Sequence, residues 1–213
     1  MFNTYNLTMI AIITISYLLG SIPSAYLVAK YHNINIFEVG SGNMGGTNIV
    51  RTLGFRWALP VVFVDVLKGI IAIYIAREIA PASKIGASTV AATVAVIGHN
   101  WSLFAGIVTG TLRGGKGAAT AFGTMLVLVP LPIVLVMLLV TIGVIALTRY
   151  VSLGVLVGFG LAILWITVLT LQEQLEPSYL YYGWMLAVMF VVRHRGNIQR
   201  LIAGTERRIG ERI

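Results

Sequence analysis

Two glycine-rich stretches of the chain carry residue types that bind anions. The first, Gly40–Gly54, reads GSGNMGGTNIVRTLG and mixes glycines with hydroxyl, amide and guanidinium side chains. Glycines let backbone N–H groups approach an anion, and these side chains add neutral donors and one charge. The stretch therefore predicts a phosphate-binding loop, although a flexible turn with ordinary helix caps would use the same residues. The residues assigned to the site are Ser41, Gly42, Asn43, Gly45, Thr47, Asn48 and Arg51.

The second stretch, Arg113–Gly117, reads RGGKG and precedes an apolar segment. Gly114, Gly115 and Gly117 surround Lys116, and at a helix N-terminus free N–H groups and the helix dipole both favour an anion. Anchoring at a membrane surface would explain the two charges but not the three glycines. Both loops partly match nucleotide-binding fingerprints, but no strand is predicted before either loop, so we reject nucleotide binding.

A third cluster, Arg193–Asn197, closes the last apolar segment with the residues RHRGN. Arginines are common at such a boundary, but His194 and Asn197, one helical turn apart, suggest a polar site. Asp65 and Lys68 share that spacing inside an apolar segment, which predicts a charge pair that holds helices together. His99 is interpreted as a structural histidine. Together the three clusters favour an anionic substrate with more than one phosphate.

The amino-acid composition indicates the environment in which these clusters fold. Of 213 residues, 58% are hydrophobic and 10% charged, and the mean hydropathy is +0.91, which indicates an all-α integral membrane protein. Lys and Arg number 15 against 7 Asp and Glu, so anionic lipids or substrates are expected partners, and nucleic acid is not. The absence of cysteine excludes disulfides, thiolate nucleophiles and Cys-ligated metals. No metal or cofactor is expected.

Six apolar segments are long enough to be considered as membrane helices. No Lys or Arg precedes the first, which is long enough to cross a bilayer, so we expect no cleaved signal peptide. The fourth has about 30 residues, more than one crossing needs, and Pro130 and Pro132 lie near its middle. The segments are Leu7–Val28, Trp57–Ala76, Ile85–Val108, Ala118–Leu147, Val151–Leu171 and Tyr179–Val192.

The distribution of positive charge decides between six spans and seven. A turn at the prolines leaves only Arg77 and Lys84 on one side, with Lys68 inside a span, and places the other Lys and Arg residues opposite them. By the positive-inside rule we predict seven transmembrane helices, with the N-terminus outside and the C-terminus cytoplasmic, in one domain over residues 1–213. The fourth helix, Ala118–Val129, is then only about 18 Å long, so the preceding loop should be buried or line a wet cavity.

Taken in order, the motifs resemble the bacterial acyl-phosphate:glycerol-3-phosphate acyltransferase family, PlsY. Departures from the family pattern are Gly46, Arg113, the Trp101–Ser102 pair and Gly196, where alanine, lysine, an aromatic–proline pair and glutamate are usual. The matching segments are GSIPSAYLVAK (Gly20–Lys30), GSGNMGGTNIVRTLG (Gly40–Gly54), VDVLKG (Val64–Gly69), GHNWSLF (Gly98–Phe104), RGGKGAAT (Arg113–Thr120), RYVSLG (Arg149–Gly154) and RHRGNIQRLIAGTERRIG (Arg193–Gly210).

The resemblance implies a seven-helix enzyme of the bacterial inner membrane, with its active site facing the cytoplasm. Such an enzyme transfers a fatty acyl group from acyl phosphate to the 1-hydroxyl of glycerol 3-phosphate, giving lysophosphatidic acid. Both glycine loops would hold phosphates, and the catalytic residues would be Lys116, His194 and Asn197. Arg51 and Ser152 would help to surround glycerol phosphate. Membrane lipid and the soluble enzyme that makes acyl phosphate are candidate partners.

The chemistry of an acyl phosphate fits this inventory of residues. It is a mixed anhydride with a good leaving group, so direct attack by the hydroxyl needs no acyl-enzyme. The base is His194 or an oxygen of the donor phosphate. Acyl-CoA-dependent relatives carry His-x-x-x-x-Asp, whereas Phe37, Phe104 and Gln199 stand five residues after the three histidines here. The alternatives are a transporter of an organic phosphate and a lipid-binding scaffold.

Overall fold

Helices account for nearly all of the regular structure. The computed structural model describes residues 4–210, and this range contains ten α-helices, one 3₁₀ turn at Pro81–Ser83 and no strand, so the predicted all-α class is confirmed. The helices are α1 (Thr4–Gly20), α2 (Ser24–Tyr31), α3 (Gly46–Leu53), α4 (Phe55–Ile79), α5 (Lys84–Asn100), α6 (Leu103–Thr109), α7 (Ala118–Leu128), α8 (Leu131–Thr148), α9 (Val151–Leu171) and α10 (Ser178–Ile202).

Several helices are long and apolar enough to cross a membrane, as expected of an integral membrane protein. Within the described range five segments qualify: Thr4–Tyr31, Phe55–Ile79, Pro81–Thr109, Leu131–Thr148 and Val151–Leu171. Helix α7 is apolar but has only 11 residues. Helix α10 has 25 residues, but Arg193, Arg195 and Arg200 make its C-terminal part polar. Seven spans and the orientation of the termini therefore stay predictions.

The break predicted at the prolines is present. Helix α7 ends at Leu128, and α8 starts at Leu131 with Pro130 as its N-cap and Pro132 in its first turn. Proline has no backbone N–H and suits the first turn of a helix, where no intrahelical donor is needed. Because α7 has 11 residues, it is about 16 Å long, roughly half the thickness of the hydrocarbon layer.

The chain forms two compact units, Met1–Leu128 and Val129–Ile213. In the first unit α4 packs against α1, α3, α5 and α7, and α1 also packs along α5. Gly98 permits that last contact, because a Cβ there would lie 3.0 Å from the backbone nitrogen of Ser21. Small residues at such contacts let helix backbones approach closely in a membrane. The single domain over residues 1–213 stays a prediction.

An apolar cluster fixes the first glycine loop to this unit. Ile36 before the loop, Met44 within it and Ile49 in its C-terminal part, on α3, are at most 4% exposed. They pack with small apolar residues of α2, α4 and α6, namely Ala25, Ala29, Ala58, Val61 and Ala105. Complete burial of an isoleucine side chain contributes about 2 kcal/mol, so the cluster holds both ends of the loop.

A short turn joins the C-terminal end of α5 to α6, which precedes the second glycine loop. Ser102, which stands where the resembled family usually has proline, caps α6: its hydroxyl accepts from the Ala105 N–H at 3.1 Å. The same hydroxyl donates to the Ser21 carbonyl at 2.6 Å. These two bonds secure the turn that separates α5 from α6 and so fix where α5 ends.

In the second unit α9 packs against both α8 and α10. The segment after α10 turns back towards the start of α9. The Ile209 N–H donates to the Arg149 carbonyl at 2.8 Å, and the Arg149 guanidinium donates to the Ile209 carbonyl at 2.8 Å. This return brings the segment after α10 next to the residues that open α9.

Candidate functional site

The first glycine loop is shaped by one buried amide. Asn48 is 1% exposed, and its Oδ1 accepts from the Ser41 N–H at 2.8 Å. Its Nδ2 donates to the Ile36 and Val39 carbonyls, at 3.2 Å each. All three bonds run to the backbone of the loop and of the segment before it, so Asn48 acts as an internal support.

Other residues of the same loop stay near the surface. Gly40 and Gly42 adopt φ angles of 60° and 65°, a left-handed conformation that favours glycine, and so turn the chain sharply. Asn43 donates to the Ser41 carbonyl at 3.1 Å. Thr47 and Arg51 lie on α3, the helix that the loop opens. The predicted donors of this loop are thus brought together, with Asn48 beneath them.

The second glycine loop is wedged between the end of α5 and the first loop. The Gly115 N–H donates to the His99 carbonyl at 3.0 Å. A Cβ at Gly115 would lie 2.6 Å from the Met44 carbonyl oxygen and would overlap Nε2 of His99. A Cβ at Gly114 would lie 2.5 Å from the Asn100 carbonyl oxygen. The two predicted phosphate loops therefore meet at Gly115, where only glycine fits.

Lys116 and Gly117 lead from this loop into α7. Lys116 is partly buried, and Gly117 has a φ of 83° immediately before Ala118 begins the helix. The Ala121 N–H bonds to the Gly117 carbonyl at 2.8 Å. Since the first N–H groups of a helix have no intrahelical acceptor, this arrangement can hold an anion near the Lys116 backbone.

Beneath the second loop lies a buried group of charged and polar side chains. Asp65 Oδ1 lies 2.9 Å from Nζ of Lys68 and accepts from the Ser24 hydroxyl at 2.6 Å. Lys68 also donates to the Ile22 carbonyl at 3.2 Å. The charge pair predicted from spacing is present, and it joins α4 to the start of α2. Nδ1 of His99 lies 3.6 Å from Asp65 Oδ1 and adds α5 to the group.

An open cavity of about 590 Å³ lies beside these loops and carries two cations. Lys30 Nζ lies 5.9 Å from the centre of the Tyr26 ring, and Arg113 Cζ lies 5.8 Å from that of Phe37. Stacking on an aromatic face restricts a cationic side chain and favours a defined position. The cavity also includes Glu38, whose carboxylate accepts from the Asn35 amide at 2.6 Å.

In the second unit a buried carboxylate gathers the predicted polar residues. Glu206 Oε1 accepts from the Ser152 hydroxyl at 2.7 Å and from the Asn197 amide at 2.5 Å. Oε2 accepts from Nε of Arg200 at 2.8 Å. Burial alone would raise the pKa of Glu206, but these three donors outweigh it and hold the pKa below its ordinary value. The carboxylate is therefore ionised, and it holds Ser152 and Asn197 side by side.

The ring of His194 is buried on α10, one turn before Asn197. Its Nδ1 lies 3.0 Å from the Phe190 carbonyl oxygen, and because a carbonyl only accepts, Nδ1 carries the proton. In the neutral ring the lone pair is then on Nε2. That tautomer can accept a proton from a hydroxyl group, as the sequence-based role of His194 requires.

Sequence reasoning missed Glu206 and Arg200 as members of this group. Glu206 lies within the Arg193–Gly210 motif, in which the sequence alone draws attention to the arginines. A buried acid is unusual in so basic a segment, and its presence between Arg200 and Arg207 could have suggested a charge partner. No three His, Cys, Asp or Glu side chains between residues 4 and 210 are grouped as metal ligands.

Known proteins match this chain over most of its length. The family model described as glycerol-3-phosphate acyltransferase matches residues 10–204. The glycerol-3-phosphate acyltransferase of Halalkalibacterium halodurans is 41% identical over 198 residues, covering 92% of this chain and 93% of the relative. That of Thermus thermophilus is 40% identical over 199 residues, covering 93% and 94%.

Two solved structures resemble the fold closely. Both are crystal structures of PlsY (YgiH), an integral membrane glycerol 3-phosphate acyltransferase, and both are 33% identical to this chain. The glycerol 3-phosphate form has a TM-score of 0.83 and covers 95% of this chain and 96% of its own. The lysophosphatidic acid form has a TM-score of 0.81 and covers 95% of each.

Proposed function

This chain belongs to the glycerol-3-phosphate acyltransferase family, and from that premise we propose that it transfers a fatty acyl group from acyl phosphate to the 1-hydroxyl of glycerol 3-phosphate. The products are lysophosphatidic acid and inorganic phosphate. The observation that carries the proposal is the junction at Gly115, where two glycine-rich loops of the family-matched region come together. Two adjacent anion-binding loops suit a reaction in which both substrates bear phosphate.

The reaction proceeds by direct attack. The glycerol hydroxyl oxygen forms a new ester bond to the acyl carbon, and the bond from that carbon to the phosphate oxygen breaks. The hydroxyl proton passes to a base, and the phosphate leaves as an anion. Because the chain has no cysteine, no thioester intermediate is available, and a mixed anhydride does not require one.

The glycine loops act mainly through their backbone. Gly42, Gly45 and the Gly114–Gly117 loop let the chain approach the phosphates closely, with Ser41, Asn43 and Thr47 as side-chain donors. The N–H groups of Gly42, Gly45 and Gly115 bond to the Val39, Asn43 and His99 carbonyls and so hold the loops in shape. Arg51 and Lys116 supply the positive charge, and Lys116 stabilises the charge that develops on the acyl oxygen and the leaving phosphate. Asn48 supports the first loop from beneath, because its amide already has three bonds to backbone groups.

The residues of the second unit handle the glycerol hydroxyls. The single proton of Ser152 goes to Glu206, so its oxygen accepts from a glycerol hydroxyl better than it donates to a phosphate. Asn197, whose amide donates to Glu206, belongs to the same polar group. His194 takes the hydroxyl proton on Nε2, the nitrogen that the Phe190 contact leaves with a lone pair.

The protein acts in the bacterial cell membrane, with seven spans, an outside N-terminus and a cytoplasmic C-terminus and active site. The excess of Lys and Arg on the predicted inner side supports this orientation. The chain has no cysteine, so single cysteines can be placed without a background. A membrane-impermeant thiol reagent applied to intact cells should label Ser83→Cys and not Thr205→Cys, and the opposite pattern would refute the orientation.

The acyl donor and the site are tested together with purified protein in detergent. Palmitoyl phosphate and glycerol 3-phosphate should give lysophosphatidic acid and phosphate in equal amounts. Lys116→Ala should lower kcat/KM at least about a hundredfold, in line with the loss of a positioned charge. Lys84→Ala, at the exposed start of α5, is the matched control and should retain activity.

The same assay separates the enzyme from the rival functions. A transporter or a scaffold would not turn over in detergent, where no second compartment exists. Palmitoyl-CoA supplied in place of palmitoyl phosphate tests the donor directly. Transfer from the CoA ester at a comparable rate would reject the acyl-phosphate assignment while leaving the acyltransferase assignment intact.

A further inference from the structure

The buried charged group beneath the second loop ends at the ring of His99. Asp65 is held from one side by Lys68 and from another by the Ser24 hydroxyl, and all three side chains are buried. Nδ1 of His99 faces the same carboxylate oxygen at 3.6 Å. Because Asp65 is fixed by two other partners, it presents a fixed acceptor to the imidazole and so sets the orientation of the ring.

The opposite side of His99 faces the junction of the two glycine loops. Its carbonyl accepts from the Gly115 N–H at 3.0 Å, and its Nε2 occupies the space that a Gly115 side chain would need. Gly115 is limited elsewhere by the Met44 carbonyl of the first loop, 2.6 Å from where its Cβ would lie. His99, which is 7% exposed, thus packs against Gly115, the residue at which both loops meet.

We infer that His99, oriented by Asp65, is a positioning residue that sets the spacing of the two phosphate loops and thereby the affinity for phosphate-bearing substrates. It acts through Gly115 and does not touch the substrate. The inference rests on the proposed function and assigns to His99 more than the structural role expected from the sequence. A histidine that served helix packing alone would affect stability, and it would leave the balance between KM and kcat unchanged.

The first test compares His99→Ala with the wild type. The His99 backbone carbonyl and its bond to the Gly115 N–H remain in the variant, while the contacts of the ring with Gly115 and with Asp65 are lost. We expect KM for glycerol 3-phosphate to rise about tenfold or more, with kcat changed by less than about threefold, since a small displacement of a binding group weakens binding strongly. An unchanged KM, or a fall in kcat alone, would overturn the inference.

A paired substitution makes the test specific to the ring. Gly115→Ala should impair the enzyme because its methyl group would overlap His99 and lie 2.6 Å from the Met44 carbonyl oxygen. His99→Ala should partly restore activity, because it removes the more severe of these two overlaps. Gly114→Ala is the matched control, since its methyl group would meet the Asn100 backbone, which His99→Ala leaves in place. Rescue of both glycine variants, or of neither, would contradict a positioning role for the ring.

Two further measurements keep the outcome clear. Titration calorimetry with glycerol 3-phosphate measures affinity without turnover, so binding that weakens in His99→Ala supports the inference even if acyl phosphate proves to be the wrong donor. If His99→Ala does not fold, His99→Gln, which keeps a polar side chain of similar reach, replaces it in the same comparisons. A normal KM and normal calorimetric affinity in His99→Gln, with no rescue of Gly115→Ala, would refute the inference.

Discussion

The two candidate regions of this protein are constructed in different ways. In Met1–Leu128 the phosphate loops meet at Gly114 and Gly115, where backbone atoms pack so closely that no side chain fits. In Val129–Ile213 the candidate residues are held in place by side-chain hydrogen bonds, because Ser152 and Asn197 both donate to the carboxylate of Glu206. The first region is damaged by adding atoms, whereas the second is damaged by removing them.

This difference also separates what each region can do. Closely packed glycine loops with hydroxyl, amide and cationic side chains suit an anion, since the chain can approach it closely. Side chains arranged around an ionised carboxylate suit neutral hydroxyl groups, because the negative charge of Glu206 would repel a phosphate. This difference in charge supports the proposal that phosphates bind at the loops and glycerol hydroxyls at the second group.

The largest effect that would test this comparison is expected at Glu206. Glu206→Ala removes the shared acceptor of Ser152, Asn197 and Arg200. Leaving the buried donors of Ser152 and Asn197 unpaired costs about 3 kcal/mol in total. We expect a clear fall in the thermal unfolding midpoint together with loss of acyl transfer. Glu78→Ala, an exposed acid on α4, is the control and should change stability by less than about 0.5 kcal/mol.

A smaller effect is expected at Asn48, the buried amide that supports the first loop. Asn48→Ala removes three hydrogen bonds, so we expect destabilisation of about 2 kcal/mol in thermal unfolding. Asn43→Ala removes one exposed bond and should alter stability by about 0.5 kcal/mol at most. Equal effects of the two substitutions would mean that the first loop does not depend on its buried amide.

The smallest effect is a dependence of stability on pH. The Glu206 pKa is lowered from 4.5, so its contribution to stability is complete above about pH 4.5 and is lost as the pH falls through the folded-state value. Glu206→Gln has no charge to lose at this position. Its unfolding midpoint should therefore fall less steeply than that of the wild type between pH 5 and pH 3, and parallel curves would count against an ionised Glu206.

Features encoded locally were predictable from the sequence. The glycine loops could be identified because their residues are adjacent in the chain, and the end of α7 because Pro130 and Pro132 interrupt an overlong apolar segment. The pairing of Asp65 with Lys68 followed from their positions on one face of a helix. Each of these rests on a spacing of a few residues.

Contacts between distant residues could not be predicted in the same way. Glu206 lies 54 residues after Ser152, and no spacing rule relates a tail to the start of α9. His99 meets Asp65 only because α5 packs against α4, so the sequence suggested a structural histidine but not its partners. The internal use of Asn48 was equally hidden, since an amide in a loop looks the same whether it faces a ligand or the backbone.

The position of Glu206 in the chain also bears on the order of biosynthesis. Ser152 and Asn197 are translated before the carboxylate that holds them, and Glu206 follows the whole of α10. The second group therefore depends on a residue that follows α10, whereas every residue at the junction of the glycine loops lies before α7. A chain that ended after α10 would keep every residue of the glycine loops but would lack the acceptor that holds Ser152 and Asn197 together.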